Sequence, residues 1–400
     1  MTQSYIYYFN NAATTWPKPA SVVDAVKNYF TTPPINSSRH CNCLKQHDDV
    51  DNVCKRKIAE FFNVDQEKYD VTITSGCTYS ANIVINWLSK EDPKPILITD
   101  NCAHNSIYRT HFEKIGGKPF IIKDWYQISD FIVQQNTNYY VAISHVNNVD
   151  GTLITDDKIF KVIDFCKKNK NIPFILDITQ SAGTYEIDIS KYNYDNMYII
   201  CSCHKGLYAT TGIGFLISPK DVIKIPLISG GTGGANGIDY TTTGSLEAGT
   251  PNELAMTSAI AGIEYIQKKT LRMISLRKKS LVEFFLSRYN TIDDNFKKVF
   301  ELVECKNPES GILCFKMLNR ERCEEFITHL TKDYNVIIRS GVHCAPLYHI
   351  NVLKVEATMR ISFGSFNIIN DVDYLIDSIN KSWYAVDPHD RSKDIVYSCT

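Results

Sequence analysis

A chain of 400 residues, 44% hydrophobic and 22% charged, has room for two or three domains and a large buried core. With 43 Lys and Arg against 44 Asp and Glu, the net charge of −1 excludes the basic footprint of a nucleic-acid or anionic-membrane binder and the acidity of a disordered chain. No run reaches the roughly 18 apolar residues of a membrane span, and the start MTQSYIYYFNNAATTW lacks a charged-then-apolar leader pattern, so a soluble cytoplasmic protein is expected. The 13 scattered cysteines, an odd number without a CxxC pair, read as reduced thiols, most of them small buried hydrophobes.

Between Tyr69 and Ser218, short β-branched and aromatic runs alternate with amphipathic stretches. The predicted strands are Tyr69–Thr74, Pro95–Thr99, Lys118–Ile122, Tyr139–Ser144, Phe174–Asp177, Met197–Ser202 and Gly214–Ser218. Helices are predicted at Tyr79–Leu88, Ser106–Ile115, Trp125–Gln135 and Thr155–Asn169, the last with Ile159, Val162, Ile163 and Cys166 on one face. This alternation predicts a seven-stranded, mostly parallel sheet buried on both faces. The link from Ser202 to Gly214 is too short for a parallel crossover, so one member should run antiparallel. After Pro251 the texture changes to helices at Asn252–Lys269, Leu271–Tyr289, Arg322–Thr331 and Asp371–Ile379, with strands at Gly311–Lys316, Asn335–Arg339 and Thr358–Gly364. The expected organisation is a large α/β domain over residues 20–251, a smaller α+β domain from residues 1–19 and 252–382, and a polar tail over 383–400.

Lys205, in His204-Lys205-Gly206, directly follows an apolar strand, where a lysine either snorkels to solvent or has a use for its amine. Asp177 ends the strand Phe174–Asp177, at the edge where open α/β sheets bind ligands. Ser75-Gly76-Cys77-Thr78 follows another strand and opens a helix, a place for an anion on free backbone N–H groups. An amine, an acidic partner for a ring nitrogen and a phosphate cradle, in that combination, are what pyridoxal phosphate needs. Ser202 can add a hydroxyl, and the loop Ser229–Gly234, with Thr232, is either a connector or a further phosphate contact. Cys344 lies in Arg339-Ser340-Gly341-Val342-His343-Cys344-Ala345-Pro346, where cationic neighbours favour a thiolate. Arg360, a cation within the predicted strand Thr358–Gly364, is either a surface arginine or a clamp on a substrate carboxylate. The cluster His40-Cys41-Asn42-Cys43 with His47 fits no usual zinc spacing, and Cys201 and Cys203 read as core or pocket lining.

These residues, with TSGCTYSAN, AHNSIYR, SHVNNVDGT, DITQSAG, SCHKGLY, GGTGG, LEAGTPN, RSGVHCAPL and MRISFGSFN in order, resemble the class V aminotransferase group of pyridoxal-phosphate enzymes. Within it, the chain is most similar to the cysteine desulfurases of the Suf-like, type II branch. The resemblance implies a fold-type-I transferase, working as a homodimer. It makes Lys205 the lysine that condenses with the cofactor aldehyde and Asp177 the partner of the pyridine nitrogen. His104 would stack on the ring and help move protons, with Gln180 and Asn148 at the ring hydroxyl or substrate. Cys77, Thr78, Ser202 and His204 would line the phosphate site, with Thr232 reaching it from the other subunit. Asn11, Arg339 and Arg360 would bind the substrate, and Cys344 would accept sulfur from L-cysteine for a persulfide-acceptor protein, for iron–sulfur assembly or thio-modification. No metal, nucleic acid or membrane enters this reading. The alternatives are a selenocysteine lyase, an aminotransferase or epimerase on the same scaffold, or a non-catalytic sulfur-carrier scaffold. Ala103, Cys77 and Cys203 depart from the family's usual residues, as does the glycine-poor segment 35–40.

Overall fold

Seven strands pair in the order Tyr69–Thr74, Gly214–Pro219, Met197–Ser202, Phe174–Asp177, Tyr139–Ser144, Ile96–Thr99 and Phe120–Ile121. Gly214–Pro219 runs antiparallel to both neighbours and every other pair is parallel. The antiparallel member expected from the short link is therefore this return strand. The computed structural model describes residues 5–31, 49–230 and 246–386. Its contacts separate the chain into two units: Pro17–Val146 with Ile154–Arg272, and Met1–Trp16 with Asn147–Leu153 and Met273–Thr400.

The larger unit holds the seven-stranded sheet. Tyr139–Ser144 and Gly214–Pro219 are buried along their whole length, as continuous apolar strands require. Ile83, Val84 and Leu88 of the Cys77–Leu88 helix and Ile107 of Asn105–Lys114 belong to one cluster with Leu97, Tyr140, Ile200 and Leu216. Helix Asp156–Lys168 buries the predicted face of Ile159, Val162, Ile163 and Cys166. Its acidic first turn and basic last turn complement the helix dipole.

Three differences from the sequence expectation have physical causes. The helix expected over Trp125–Gln135 is only a 3₁₀ turn, Trp125–Asp130, fixed by the Trp125 indole N–H donating to Asp100 at 2.7 Å. Beyond it, the Phe-Ile-Val run and the Asn residues weaken helical continuation. The helix Glu253–Lys269, expected in the smaller domain, belongs to the larger unit, where it packs on Ala20–Tyr29 and Val50–Phe61. Gly262 allows this helix to approach the Lys205 turn, because a Cβ there would lie 2.0 Å from the Leu207 carbonyl oxygen. The strand expected over Asn335–Arg339 is split in two. Val336–Ile337 pairs in parallel with Tyr7–Tyr8, and Arg339–Gly341 pairs with Thr358–Ser362.

The smaller unit carries an antiparallel sheet in the order Arg339–Gly341, Thr358–Ser362, Ile312–Met317 and Phe300–Leu302. Its core joins Phe285, Phe296, Phe300, Phe315, Phe326 and Trp383 with the buried faces of helices Leu271–Arg288, Arg320–Tyr334 and Ile369–Val386. Asn335, in the left-handed region, ends Arg320–Tyr334 and turns the chain into the short strands.

One contact in the larger unit admits no side chain. A Cβ on Gly206 would stand 2.0 Å from the Ala182 carbonyl oxygen. Gly206→Ala is expected to lower the unfolding free energy by about 3 kcal/mol, because rigid backbone blocks relief of the overlap. A urea midpoint equal to wild type would contradict this packing.

Candidate active site

In the larger unit, the chain leaves Met197–Ser202, turns through Cys203, His204 and Lys205, and returns as Gly214–Pro219. Ser202 Oγ accepts the backbone N–H of Cys77 at 2.8 Å, and the Ser202 N–H donates to Thr179 Oγ1 at 3.2 Å. Thr179 N–H donates in turn to a carboxylate oxygen of Asp177 at 2.9 Å. Three strand ends are thus tied into one rim. Gly76 lies close under Gly214, where a Cβ would come within 2.5 Å of the Gly76 Cα. The helix Cys77–Leu88 begins at Gly76 with φ 146°; Gly76 offers no side-chain cap and Ser202 takes only the Cys77 N–H, so the next N–H groups face the open end as a place for an anion, with Thr78 exposed there.

Asp177 and Lys205 both act electrostatically on Cys77 and on Cys201, which places carboxylate and amine around the same two thiols. Burial pushes both thiols well above the ordinary range, so neither is a nucleophile. Asp177 is buried and makes no ion pair among the described residues. His104 caps the helix Asn105–Lys114. Its Nδ1 accepts the Ser106 N–H at 3.1 Å, which leaves the proton of the neutral ring on Nε2. Ser106 Oγ also lies 2.9 Å from that nitrogen and 3.9 Å from Cys77 Sγ, linking the histidine to the anion-binding turn.

His204 is held neutral: burial, then the charges of Lys205 and Lys18, lower it to about 4. Lys18 Nζ donates to the His204 carbonyl at 2.9 Å, and burial lowers this lysine to about 8. Gln180 follows Thr179 and is half-buried. Thr232, the His40-Cys41-Asn42-Cys43 cluster and residues 387–400 lie outside the described residues. Among the described residues there is no group of acidic, His and Cys side chains able to hold a metal ion.

The smaller unit gathers the other expected residues. Arg339 and Arg360 are paired across adjacent antiparallel strands. Arg339 Nη2 lies 3.7 Å from Cys344 Sγ, and the thiol is half-buried. Arg360 is fully buried; it donates through Nη1 to the Asn148 carbonyl and through Nη2 to Asn10 Oδ1 at 3.4 Å. Its Nε has no partner, and among the described residues no carboxylate pairs with the guanidinium. Burial and the neighbouring Arg339 lower Arg360 to about 9. Asn148 Nδ2 donates to the His343 carbonyl at 2.6 Å. Asn11 is occupied locally: Nδ2 donates to the Ser362 carbonyl at 3.0 Å and Oδ1 accepts the Trp16 N–H at 3.3 Å.

Sequence reasoning overlooked Thr179, Ser106 and Lys18. Thr179 and Ser106 sit beside singled-out motif residues, but a hydroxyl two positions from a candidate carries no signal of its own. Lys18 stands between Pro17 and Pro19, a stiff setting that hints at a fixed side chain.

The aminotransferase class-V family model matches residues 6–375. A "Cysteine desulfurase" of Wigglesworthia glossinidia brevipalpis is 28% identical, the match covering 95% of this chain and 93% of that protein. A "Probable cysteine desulfurase" of Pyrococcus abyssi is 26% identical, with 93% of each covered. Among solved structures, an apo cysteine desulfurase from Thermococcus onnurineus NA1 superposes with a TM-score of 0.78 at 23% identity, over 95% of both chains. The family model spans nearly the whole chain, and the chain belongs to the class-V aminotransferase family.

Proposed function

We propose that the protein is a pyridoxal-phosphate-dependent cysteine desulfurase, which converts L-cysteine to L-alanine and leaves the sulfur on Cys344 for an acceptor protein. The observation that carries this reading is a pair of buried charged side chains that make no ion pair among the described residues. Asp177 is a buried carboxylate that, with the strand-end Lys205, acts on the same two thiols, and Arg360 is a buried guanidinium that no carboxylate pairs among the described residues. Buried charges of this kind are costly unless a ligand completes them.

The residues of the larger unit fit pyridoxal phosphate. The uncapped helix end at Gly76, with Thr78, Ser202 and neutral His204, suits its phosphate; Asp177 suits its ring nitrogen; His104 suits its ring face. When bound, the cofactor supplies an aldehyde for an amine and a ring that draws electrons from the substrate Cα. Lys205 then removes and returns the Cα proton, as a lysine freed by the incoming amino acid can. Gln180 and Asn148 orient the substrate and ring hydroxyl, Arg360 and Arg339 bind the substrate carboxylate, and Asn11 braces that arginine strand.

The Cys344 thiolate attacks the cysteine sulfur. An S–S bond forms as the substrate C–S bond breaks, the electron pair stays on carbon, and a proton completes alanine. Arg339 stabilises the attacking thiolate at 3.7 Å. The persulfide passes to an acceptor thiol, for iron–sulfur assembly or thio-modification. The same reading makes the protein a cytoplasmic homodimer, in which Thr232 of one subunit reaches the phosphate of the other. No helix among the described residues is long and apolar enough to cross a membrane.

Lys205→Ala should abolish the visible absorbance that appears when the cofactor is added to the protein; an unchanged spectrum would overturn the assignment. Cys344→Ser should keep that absorbance and lose at least about a hundredfold in alanine release from cysteine. Turnover equal to wild type would remove Cys344 from the reaction.

Lys18 supports the lysine turn and gives a pH signature. Its value is about 8 in the folded chain against 10.5 when exposed, so the folded state releases this proton first. The cost of burying its charge is full below pH 8 and is relieved as pH rises from 8 to 10.5. Over that window the wild-type denaturation midpoint should gain on that of Lys18→Met. Parallel curves would show that Lys18 is not desolvated.

A further inference from the structure

We propose that His349 is a positioning residue whose neutral imidazole braces the turn carrying Cys344 from both of its ends. The proposal rests on the reading of Cys344 as the sulfur-accepting thiol, but its geometry is independent of that reading.

The turn leaves the sheet at Gly341, which is paired with Thr358, and runs through Val342, His343 and Cys344 to Ala345. His343 and Cys344 are consecutive left-handed residues, with φ of 47° and 61°. L-residues adopt this conformation at a cost, and two in succession persist only where the surroundings hold them. Two holds come from the turn's own neighbours. Asn148 Nδ2 donates to the His343 carbonyl at 2.6 Å, and His343 Nε2 donates to the Thr358 carbonyl at 3.2 Å.

The third hold is His349, in the π-helical turn Tyr348–Leu353 and only 1% exposed. Its Nδ1 lies 3.0 Å from the Ala345 carbonyl and its Nε2 lies 3.0 Å from Thr358 Oγ1. A carbonyl only accepts, so the proton sits on Nδ1, and Nε2 accepts from the Thr358 hydroxyl. Thr358 is the strand partner of Gly341, the last strand residue before the thiol. One rigid ring therefore ties the residue directly after the thiol to the strand that holds the start of the turn. Burial lowers the affinity of His349 for a second proton, which keeps the ring in the neutral form this pattern needs. With the turn fixed, Cys344 Sγ stays at 3.7 Å from the Arg339 guanidinium.

The test uses the full-length, cofactor-loaded protein with His349→Leu, which fills the space without the bonds, and His349→Asn, whose amide N–H can replace Nδ1 toward Ala345. Two quantities are measured: steady-state alanine release from cysteine, and iodoacetamide labelling of the Cys344 peptide by mass spectrometry. In His349→Leu, kcat is expected to fall about tenfold with KM and the visible spectrum unchanged, as for a misplaced reacting group. Labelling of Cys344 should slow about fivefold as the thiol leaves Arg339. His349→Asn should recover most of both losses. If His349→Leu does not fold, Thr358→Val removes only the hydroxyl end of the brace and should show the same kcat loss and slowed labelling in weaker form. Wild-type turnover and labelling in the leucine variant, or in the valine variant if it stands in, would overturn the proposal, as would an asparagine variant no better than leucine. Should Cys344→Ser still release alanine, the functional reading fails, while the labelling contrast still decides the brace.

Discussion

The larger unit depends on a backbone-to-backbone contact. The turn that presents Lys205 is pressed against Ala182 and Gly183 so closely that a Cβ on Gly206 or on Gly183 would fall 2.0 or 2.1 Å from a carbonyl oxygen. That contact fixes Lys205 in direction, because the lysine's own turn cannot rotate without driving backbone into backbone. Asp177 lies five residues before Ala182 on the same continuous segment, and Thr179 between them bonds to Ser202. The amine, the carboxylate and the hydroxyl of the anion seat are therefore set by one packing decision rather than by three independent side-chain placements. Sites built on rigid elements hold their geometry better than sites built on loops.

Each unit buries a charged side chain that makes no ion pair among the described residues. Folding normally removes such groups, pairs them or leaves them in water, since a lone buried charge destabilises. Here Asp177 spends one oxygen on a backbone N–H, and Arg360 spends two nitrogens on a carbonyl and an amide. These neutral partners orient the groups while leaving their charge available. A salt bridge would have oriented them equally well but would have consumed that charge. Under the proposed function, a cationic ring nitrogen and an amino-acid carboxylate would complete these two charges, and their binding would add to stability.

Much of this was legible in the sequence. The strands Tyr69–Thr74, Tyr139–Ser144, Phe174–Asp177 and Met197–Ser202 fall where short β-branched and aromatic runs fall, because strands buried on both faces leave an uninterrupted apolar signal. The antiparallel return was legible from a link length alone. The helices Ala20–Tyr29 and Val50–Phe61 were not anticipated. The latter is crowded with charge at Asp51, Lys55, Arg56, Lys57 and Glu60, and its inward face emerges only once Cys54, Ile58 and Ala59 are seen buried. Lys205, Asp177 and Cys344 could be singled out because each residue type is unusual where it stands. His349 could not, because its two bonds reach a carbonyl four residues back and a hydroxyl nine residues ahead, and nothing in His349-Ile350-Asn351 announces either.

The cysteines show how one thiol is set apart from many. Burial raises Cys54 and Cys314 to about 12 and drives Cys77, Cys201 and Cys203 well above the ordinary range. Cys77 and Cys201 lie within electrostatic reach of Lys205, whose charge would by itself favour a thiolate, yet desolvation outweighs it. Under the proposed function, a second reactive thiol beside the lysine would compete for the same sulfur atom. Cys344 differs from these buried thiols in two respects. It is half-buried where they are buried, and the Arg339 guanidinium lies 3.7 Å from its sulfur. Burial thus silences these five thiols, whereas Cys344 stands in a turn that must be held in an unfavourable backbone conformation, so the bonds that hold that turn decide where its sulfur sits.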